Sequence, residues 1–257
     1  MNFTFFKYQG TGNDFIIFDD RDGSFPVSES LIIHLCDRKF GVGSDGLILI
    51  QKSEDYDFHM EFYNPDASQS FCGNGSRCAV AFAHRLGIIE ETSTFSAIDG
   101  VHKAKVVENE LVEVSMRDVS AITEYENDLI LNTGSPHYVR FTGHLEKEDI
   151  IKTGRSIRYS DRFKNEGINV NLVQVLDDNS LECATYERGV ENETLSCGTG
   201  VTAMALGANK AYDLPSPIRV LTKGGELEVS FSQNEEDYTL VFLKGPAQFV
   251  FKGDIQL

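Results

Sequence analysis

One short pattern occurs twice in the chain. Cys72-Gly73-Asn74-Gly75 lies within Phe71-Cys72-Gly73-Asn74-Gly75-Ser76-Arg77-Cys78, and Cys197-Gly198-Thr199-Gly200 stands half a chain further on in a sequence of 257 residues. Small and apolar residues suited to a buried helix follow each copy: Ala79, Val80, Ala81, Phe82 and Ala83 in the first, Ala203, Met204, Ala205, Leu206 and Ala208 in the second. A cysteine just ahead of a glycine-rich helix start sits at the positive end of the helix dipole. There the thiolate is favoured, and unbonded backbone N–H groups can hold an anion. A single copy reads best as a buried structural cysteine beside a turn; two copies point to chemistry. Two thiols on opposite faces of one carbon can invert a stereocentre, one taking the proton as thiolate and the other delivering one from behind. A thiol titrates close enough to neutrality for one fold to keep one copy protonated and the other not. The helix N-termini would stabilise a carboxylate as it gains enolate character.

The elements that must position these thiols also come in two sets. Residues 3–8 and the run Phe15-Ile16-Ile17-Phe18 read as strands around the turn Gly10-Thr11-Gly12-Asn13-Asp14. Ser28 reads as the N-cap of a helix carrying Leu31, Ile32, Leu35 and Cys36 at helical spacing. Strands are expected at Leu47–Ile50 and Phe58–Tyr63, and hairpins over 94–117 with turns at Asp99-Gly100 and Glu108-Asn109. The second half repeats this order. Thr133-Gly134-Ser135 leads to His137-Tyr138-Val139, a helix is expected at 146–156, and Gly167–Val173 echoes the segment around Gly43 and Leu47. A strand at 181–187 precedes the second Cys-Gly-x-Gly, and strands near 218–222, 226–232 and 238–243 follow it. Four landmarks in one order indicate a duplicated domain, far too long in period for a solenoid. The expected class is α+β: two pseudo-symmetric, sheet-rich domains, each around a central helix. The halves are residues 1–116, completed by a C-terminal strand at 246–257, and 117–245. If both thiol sites face one cleft, one sulfur lies on each side of whatever is bound.

Composition bounds the partners. A net charge of −17 argues against nucleic acid and anionic membrane surfaces, and no apolar run approaches a membrane span. Five cysteines, an odd number and unclustered, fit a reducing cytoplasm, and the N-terminal residues lack a signal-peptide pattern. The spacing of Cys72 and Cys78 is not a zinc pattern, and no metal is expected. Cys36, Cys78 and Cys183 read as buried structural thiols, and His34, His59, His84, His102 and His144 as packing or surface residues. The oligomeric state is left open, a homodimer included.

Asn13 within Gly10-Thr11-Gly12-Asn13-Asp14-Phe15, Asn64 ahead of Cys72-Gly73-Asn74-Gly75, and Glu187-Arg188-Gly189 ahead of Cys197-Gly198-Thr199-Gly200 resemble the signature blocks of the diaminopimelate epimerases. The similarity runs from the first strand to the last. It implies a pseudo-symmetric two-domain fold and inversion of one stereocentre of LL-2,6-diaminopimelate to the meso form, without pyridoxal phosphate or metal. It further implies a place in lysine and peptidoglycan precursor synthesis. By the same resemblance Asn13, Asn64, Asn169, Glu187 and Arg188 bind substrate, and the backbones of Gly73, Asn74, Gly198 and Thr199 hold the reacting carboxylate. Family convention makes Cys72 the donor and Cys197 the acceptor, labels that exchange with the direction of a reversible reaction. Two positions depart from the pattern: the family often has Asn where Ser135 stands, and some members have Gln near Gly46. These two are expected to reach substrate through water or backbone, or not at all.

Elementary chemistry fits these roles. Diaminopimelate carries two ammonium and two carboxylate groups, so it is neutral overall and suits an acidic protein. Arg188 can fork its distal carboxylate, and asparagine carbonyls can accept from its ammonium. Glu187 and His137 are candidates for biasing which thiol holds the proton. Three other readings compete. A proline or hydroxyproline racemase has the same paired thiols but needs no distal arginine. A thiol redox protein needs no Gly-x-Gly helix start after each cysteine. An amino-acid-binding module has no use for two thiols.

Overall fold

The computed structural model describes residues 1–108, 110–176 and 178–257, so Asn109 of the turn expected at Glu108-Asn109 lies outside the described residues. The chain divides into two compact units, Met1–Val114 with Gly245–Leu257, and Ser115–Lys244.

In the first unit the strands lie side by side in the order Gln248–Gln256, Asn2–Gly10, Asn13–Asp19, Gly46–Gln51, Phe58–Tyr63, Thr92–Ala97, Gly100–Glu108 and Leu111–Ser115. Neighbours are antiparallel except Asn13–Asp19 with Gly46–Gln51, and Phe58–Tyr63 with Thr92–Ala97. Parallel neighbours cannot be joined by a hairpin, and both crossovers run through helices: α1 (Glu29–Cys36) and α2 (Gly73–Arg85). The second unit repeats this plan with Ile122–Tyr125, Asp128–Asn132, Pro136–Phe141, Asn169–Leu176, Ser180–Glu187, Ile218–Thr222, Gly225–Asn234 and Asp237–Pro246. The parallel pairs fall at the same two places, now crossed by α3 (Ile150–Arg158) and α4 (Gly198–Tyr212). A short strand, Asn192–Thr194, also pairs with Ser180–Glu187. The duplication expected from the motifs is therefore a repeated topology.

Register makes the repeat close enough to match residues. Phe15 lies beside Gly46 in one unit and His137 beside Asn169 in the other; Leu47 faces Tyr63, and Val170 faces Tyr186. Phe15 thus corresponds to His137, Gly46 to Asn169, and Asn64 to Glu187.

The apolar runs at Phe15–Phe18 and Leu47–Ile50 are unbroken because both faces of this part of the sheet are covered. Phe15, Ile17, Ile48 and Ile50 pack with Cys78, Ala79, Phe82 and Ala83 of α2. Ile16, Phe18, Leu47 and Leu49 point the other way, onto Ile32, Leu35 and Cys36 of α1. In the second unit Tyr138, Val170, Leu172 and Tyr186 pack with Ile150 of α3, while α4 is buried along most of its length.

Ser28 caps α1, accepting from the Leu31 N–H at 3.3 Å. The helix expected at 146–156 is shifted: a 3-10 turn at Leu145–Lys147 precedes α3, which starts at Ile150 and ends at Arg158. The Asp149 carboxylate sets that start by accepting from the Lys152 N–H at 3.0 Å. The hairpin Ile122–Tyr125/Asp128–Asn132 was not anticipated; its strands are short, and its turn holds Glu126 at φ 57°. The two chain ends meet, the Met1 ammonium donating to the Leu257 carbonyl at 2.5 Å and the Leu257 N–H to the Met1 carbonyl at 2.9 Å. Among the described residues no helix is long and apolar enough to cross a membrane.

Candidate active site

Cys72 and Cys197 occupy the same local structure. Each is the N-cap of its helix, with φ −127° and ψ 110° at Cys72 and φ −127° and ψ 111° at Cys197. Each extended cap sets its cysteine ahead of a first helical turn whose N–H groups have no intrahelical acceptor, and of the two sulfurs only that of Cys72 makes a side-chain cap bond to that turn. The Gly75 N–H donates to Cys72 Sγ at 3.4 Å. Cys72 is half-buried and Cys197 is 9 % exposed.

In the first unit, Asn13 opens the strand beside α2. Its Nδ2 donates to Asp45 Oδ2 at 2.8 Å, and its Oδ1 faces Asn74 Nδ2 at 3.4 Å and the Cys72 thiol at 3.8 Å. Asp45 belongs to an ion-pair network with Arg38, Asp14 and Lys7. Burial opposes ionisation of Asp14, but Arg38 and Lys7 outweigh it and hold its carboxyl at about 2. Asn64 is pinned in the turn after its strand, its Nδ2 lying 3.1 Å from Ser68 Oγ and from Ser70 Oγ. Below α2 the packing is apolar, with Phe15, Ile48 and Phe62 together in one cluster. Gly46 leaves no room for a side chain, since a Cβ there would lie 2.4 Å from Phe62 Cε2. The ring of Phe62 thus fills space that a glutamine would need. Arg77 is fully buried and reaches neutral oxygens, Gly73 O, Thr11 Oγ1 and Pro246 O, each at 3.4 Å. Burial lowers its pKa to about 10.

The corresponding layer of the second unit is polar. His137, Asn171 and Thr185 stand where Phe15, Ile48 and Phe62 stand in the first. Asn171 Nδ2 donates to the Tyr138 carbonyl at 2.9 Å and faces His137 Nδ1 at 3.2 Å, while its Oδ1 accepts from Thr185 Oγ1 at 3.0 Å. An acceptor at Nδ1 puts the His137 proton on Nε2, which then donates to Thr199 Oγ1 at 2.9 Å. That hydroxyl lies 3.5 Å from Cys197 Sγ. Burial first, and the Arg188 charge second, lower the His137 pKa to about 3, so the ring is neutral at pH 7. Asn169 Oδ1 accepts from the Arg188 N–H at 2.8 Å, and its Nδ2 donates to Ser135 Oγ at 3.0 Å. Ser135 is therefore engaged with Asn169, in the place where the family often has an amide. The Arg188 guanidinium is exposed and donates to the Glu166 carbonyl at 2.8 Å, and Glu187 beside it is half-buried.

In the first unit the structure gathers Asn13, Asn74 and Cys72, with Asn64 close along the chain. In the second it gathers His137, Asn169, Thr199 and Cys197, with Arg188 attached through its backbone. Lys7, Arg38, Asp45, Asn171 and Thr185 were missed from sequence. Asn171 and Thr185 had a signal: Asn169 and Asn171 alternate within the strand Asn169–Leu176, so both amides point to one face of a buried strand, where polar groups need partners. Cys36, Cys78 and Cys183 are buried thiols whose pKa values burial raises, that of Cys183 to about 12. Among the described residues no three His, Cys, Asp or Glu side chains converge as a metal-ligand set.

Comparison with known proteins agrees with the duplicated plan. The family model described as diaminopimelate epimerase matches twice, over residues 5–122 and 129–250. The diaminopimelate epimerase of Flavobacterium psychrophilum is 48% identical over 253 residues, covering 97% of this chain and 99% of its own. That of Aquifex aeolicus is 41% identical over 271 residues, covering 97% of this chain and 96% of its own. Among solved structures, a phenazine biosynthesis protein of the PhzF family from Bacillus anthracis has the same fold, with a TM-score of 0.76 and 14% identity over 100% of both chains.

Proposed function

The chain belongs to the diaminopimelate epimerase family, and from that premise we propose that Cys72 and Cys197 are the two proton-transferring groups of an isomerase interconverting LL- and meso-diaminopimelate. The observation that carries this reading is the recurrence of one cysteine N-cap, to within a degree in both backbone dihedrals, on two helices of a duplicated topology. One sulfur, as thiolate, takes the α-proton, and the C–H electron pair moves into the carboxylate as enolate. The backbones of Gly73, Asn74, Gly198 and Thr199 hold that carboxylate, where helix N-terminal N–H groups stabilise the added charge. The other thiol returns a proton to the opposite face, leaving the two sulfurs with exchanged protonation. The reaction needs no added cofactor, and it requires that both sulfurs reach one α-carbon.

Discrimination falls to the distal end of the substrate. Arg188 supplies the planar fork for its carboxylate, with Asn169 Nδ2 as a further donor beside it, and Asn64 and Glu187 supply acceptors for its ammonium. The reaction serves lysine and peptidoglycan precursor synthesis in the cytoplasm. The test is exchange of the α-proton of LL-diaminopimelate in heavy water. Exchange with formation of the meso isomer supports the reading. No exchange sinks it, and equal exchange with L-lysine or L-proline sinks the distal-site assignment.

A further inference from the structure

We propose that Asp45 is a positioning residue, locking the Asn13 amide with its carbonyl oxygen toward the reacting head group and so making the first half-site the acceptor for the substrate's α-ammonium. This deepens the diaminopimelate reading above and rests on it.

An asparagine amide can turn over at little cost unless a partner fixes it, because its two ends are alike in shape and opposite in hydrogen-bonding sense. A carboxylate only accepts. With Asp45 Oδ2 at 2.8 Å from Asn13 Nδ2, the amide has one satisfied sense. Asn13 Oδ1 is then the end turned toward Cys72 and Asn74. Asp45 is itself held from two sides, by Arg38 Nη2 on Oδ1 at 2.6 Å and by the Asp14 N–H on Oδ2 at 3.2 Å. Arg38 also bonds both oxygens of Asp14, which pairs in turn with buried Lys7. Two cations and two carboxylates hold a single hydrogen bond in place.

The second unit fixes an amide the opposite way. Asn169 gives its Oδ1 to the Arg188 N–H and directs its Nδ2 to Ser135 Oγ. One half therefore presents an acceptor and the other a donor. An ammonium has only protons to give and a carboxylate only lone pairs, so the α-amino group is matched by Asn13 and not by Asn169.

The experiment compares Asp45→Asn with the exchange variant Asn13→Asp/Asp45→Asn, using the full chain and LL-diaminopimelate. In Asp45→Asn either amide sense sets donor against donor, toward Asn13 or toward Arg38. We expect kcat/KM to fall about tenfold or more. In the exchange variant the amide now at position 45 donates to the carboxylate now at position 13 and its carbonyl still accepts from Arg38, so that only the 3.2 Å bond from the Asp14 N–H is lost. The transplanted carboxylate offers an acceptor to the site whichever way it turns. Most of the lost kcat/KM should return, which general weakening of the frame would not allow. Wild-type kcat/KM in Asp45→Asn, or an exchange variant no better than Asp45→Asn, overturns the proposal. If thermal unfolding shows that Asp45→Asn does not fold, the exchange variant must still fold and turn over; failure of both to fold assigns Asp45 to the frame alone and overturns it too. Wild-type protein inert toward diaminopimelate would instead be a failure of the underlying reading.

Discussion

Cys72→Ala and Cys197→Ala should each abolish inversion, because either change removes proton transfer on one face of the substrate carbon. Cys36→Ala, Cys78→Ala and Cys183→Ala should retain turnover and lose at most a few kcal/mol of stability through packing. The measurement is meso-diaminopimelate formation by purified variants, and near-normal turnover by either of the first two would end the two-thiol mechanism. His137 gives a second prediction at this scale. Its folded pKa of about 3 lies below the ordinary 6.5, so the unfolded chain binds a proton that the folded one does not across that interval. Its contribution is therefore intact above about pH 6.5 and declines as pH falls toward 3, by up to ~1.4 kcal/mol per pH unit. Urea unfolding of His137→Gln between pH 4.5 and 6.5 should show a shallower fall than wild type; parallel curves would mean that the ring is not buried as a neutral donor. Arg188→Lys should also cost turnover, because an ammonium cannot reproduce the planar fork for a distal carboxylate. Retention of wild-type kcat/KM for LL-diaminopimelate would remove Arg188 from the distal site.

Among the elements, the strand Gly46–Gln51 shows how one topology came to hold two chemistries. Its first residue has no side chain because Phe62 occupies the space, whereas the corresponding Asn169 has a hydroxyl-bearing Thr185 near the matching position. Gly46→Ala should cost about 1–3 kcal/mol, since the added methyl meets both the Phe62 ring and the Tyr63 carbonyl. A denaturation midpoint equal to wild type would show that the ring moves freely. The central strands, the cysteine-led helices and the repeat were legible because both faces of those strands are covered and each cysteine pattern opens a buried helix; the short hairpin Ile122–Tyr125/Asp128–Asn132 was not. The α3 boundary was not, since the charged run Glu146-Lys147-Glu148-Asp149 carries no apolar pattern to mark it and the Asp149 cap alone sets the start. The charge network on Asn13 was not legible either. Lys7, Asp14, Arg38 and Asp45 come from separate segments, and the pairings of Asn13–Asp19 with Asn2–Gly10 and with Gly46–Gln51 bring them together. The tautomer of His137 was hidden for a related reason: it depends on Asn171, its neighbour on the adjoining strand.

At the scale of the molecule, the two units have one strand order but unlike chain paths. Unit Ser115–Lys244 is continuous, whereas the other takes its first strand from the C-terminus of the chain. A substitution in Gln248–Gln256 should therefore weaken the unit that begins at Met1. The backbone bonds between Met1 and Leu257 bring the original ends within reach of a short linker. If that linker is made and the chain is opened between Arg117 and Asp118, both exposed, the gene reads as two uninterrupted copies in tandem. Such a circular permutant should fold and keep its activity, as circular dichroism and α-proton exchange would show. Its success would show that the order in which the two copies are threaded is a matter of connection and not of chemistry.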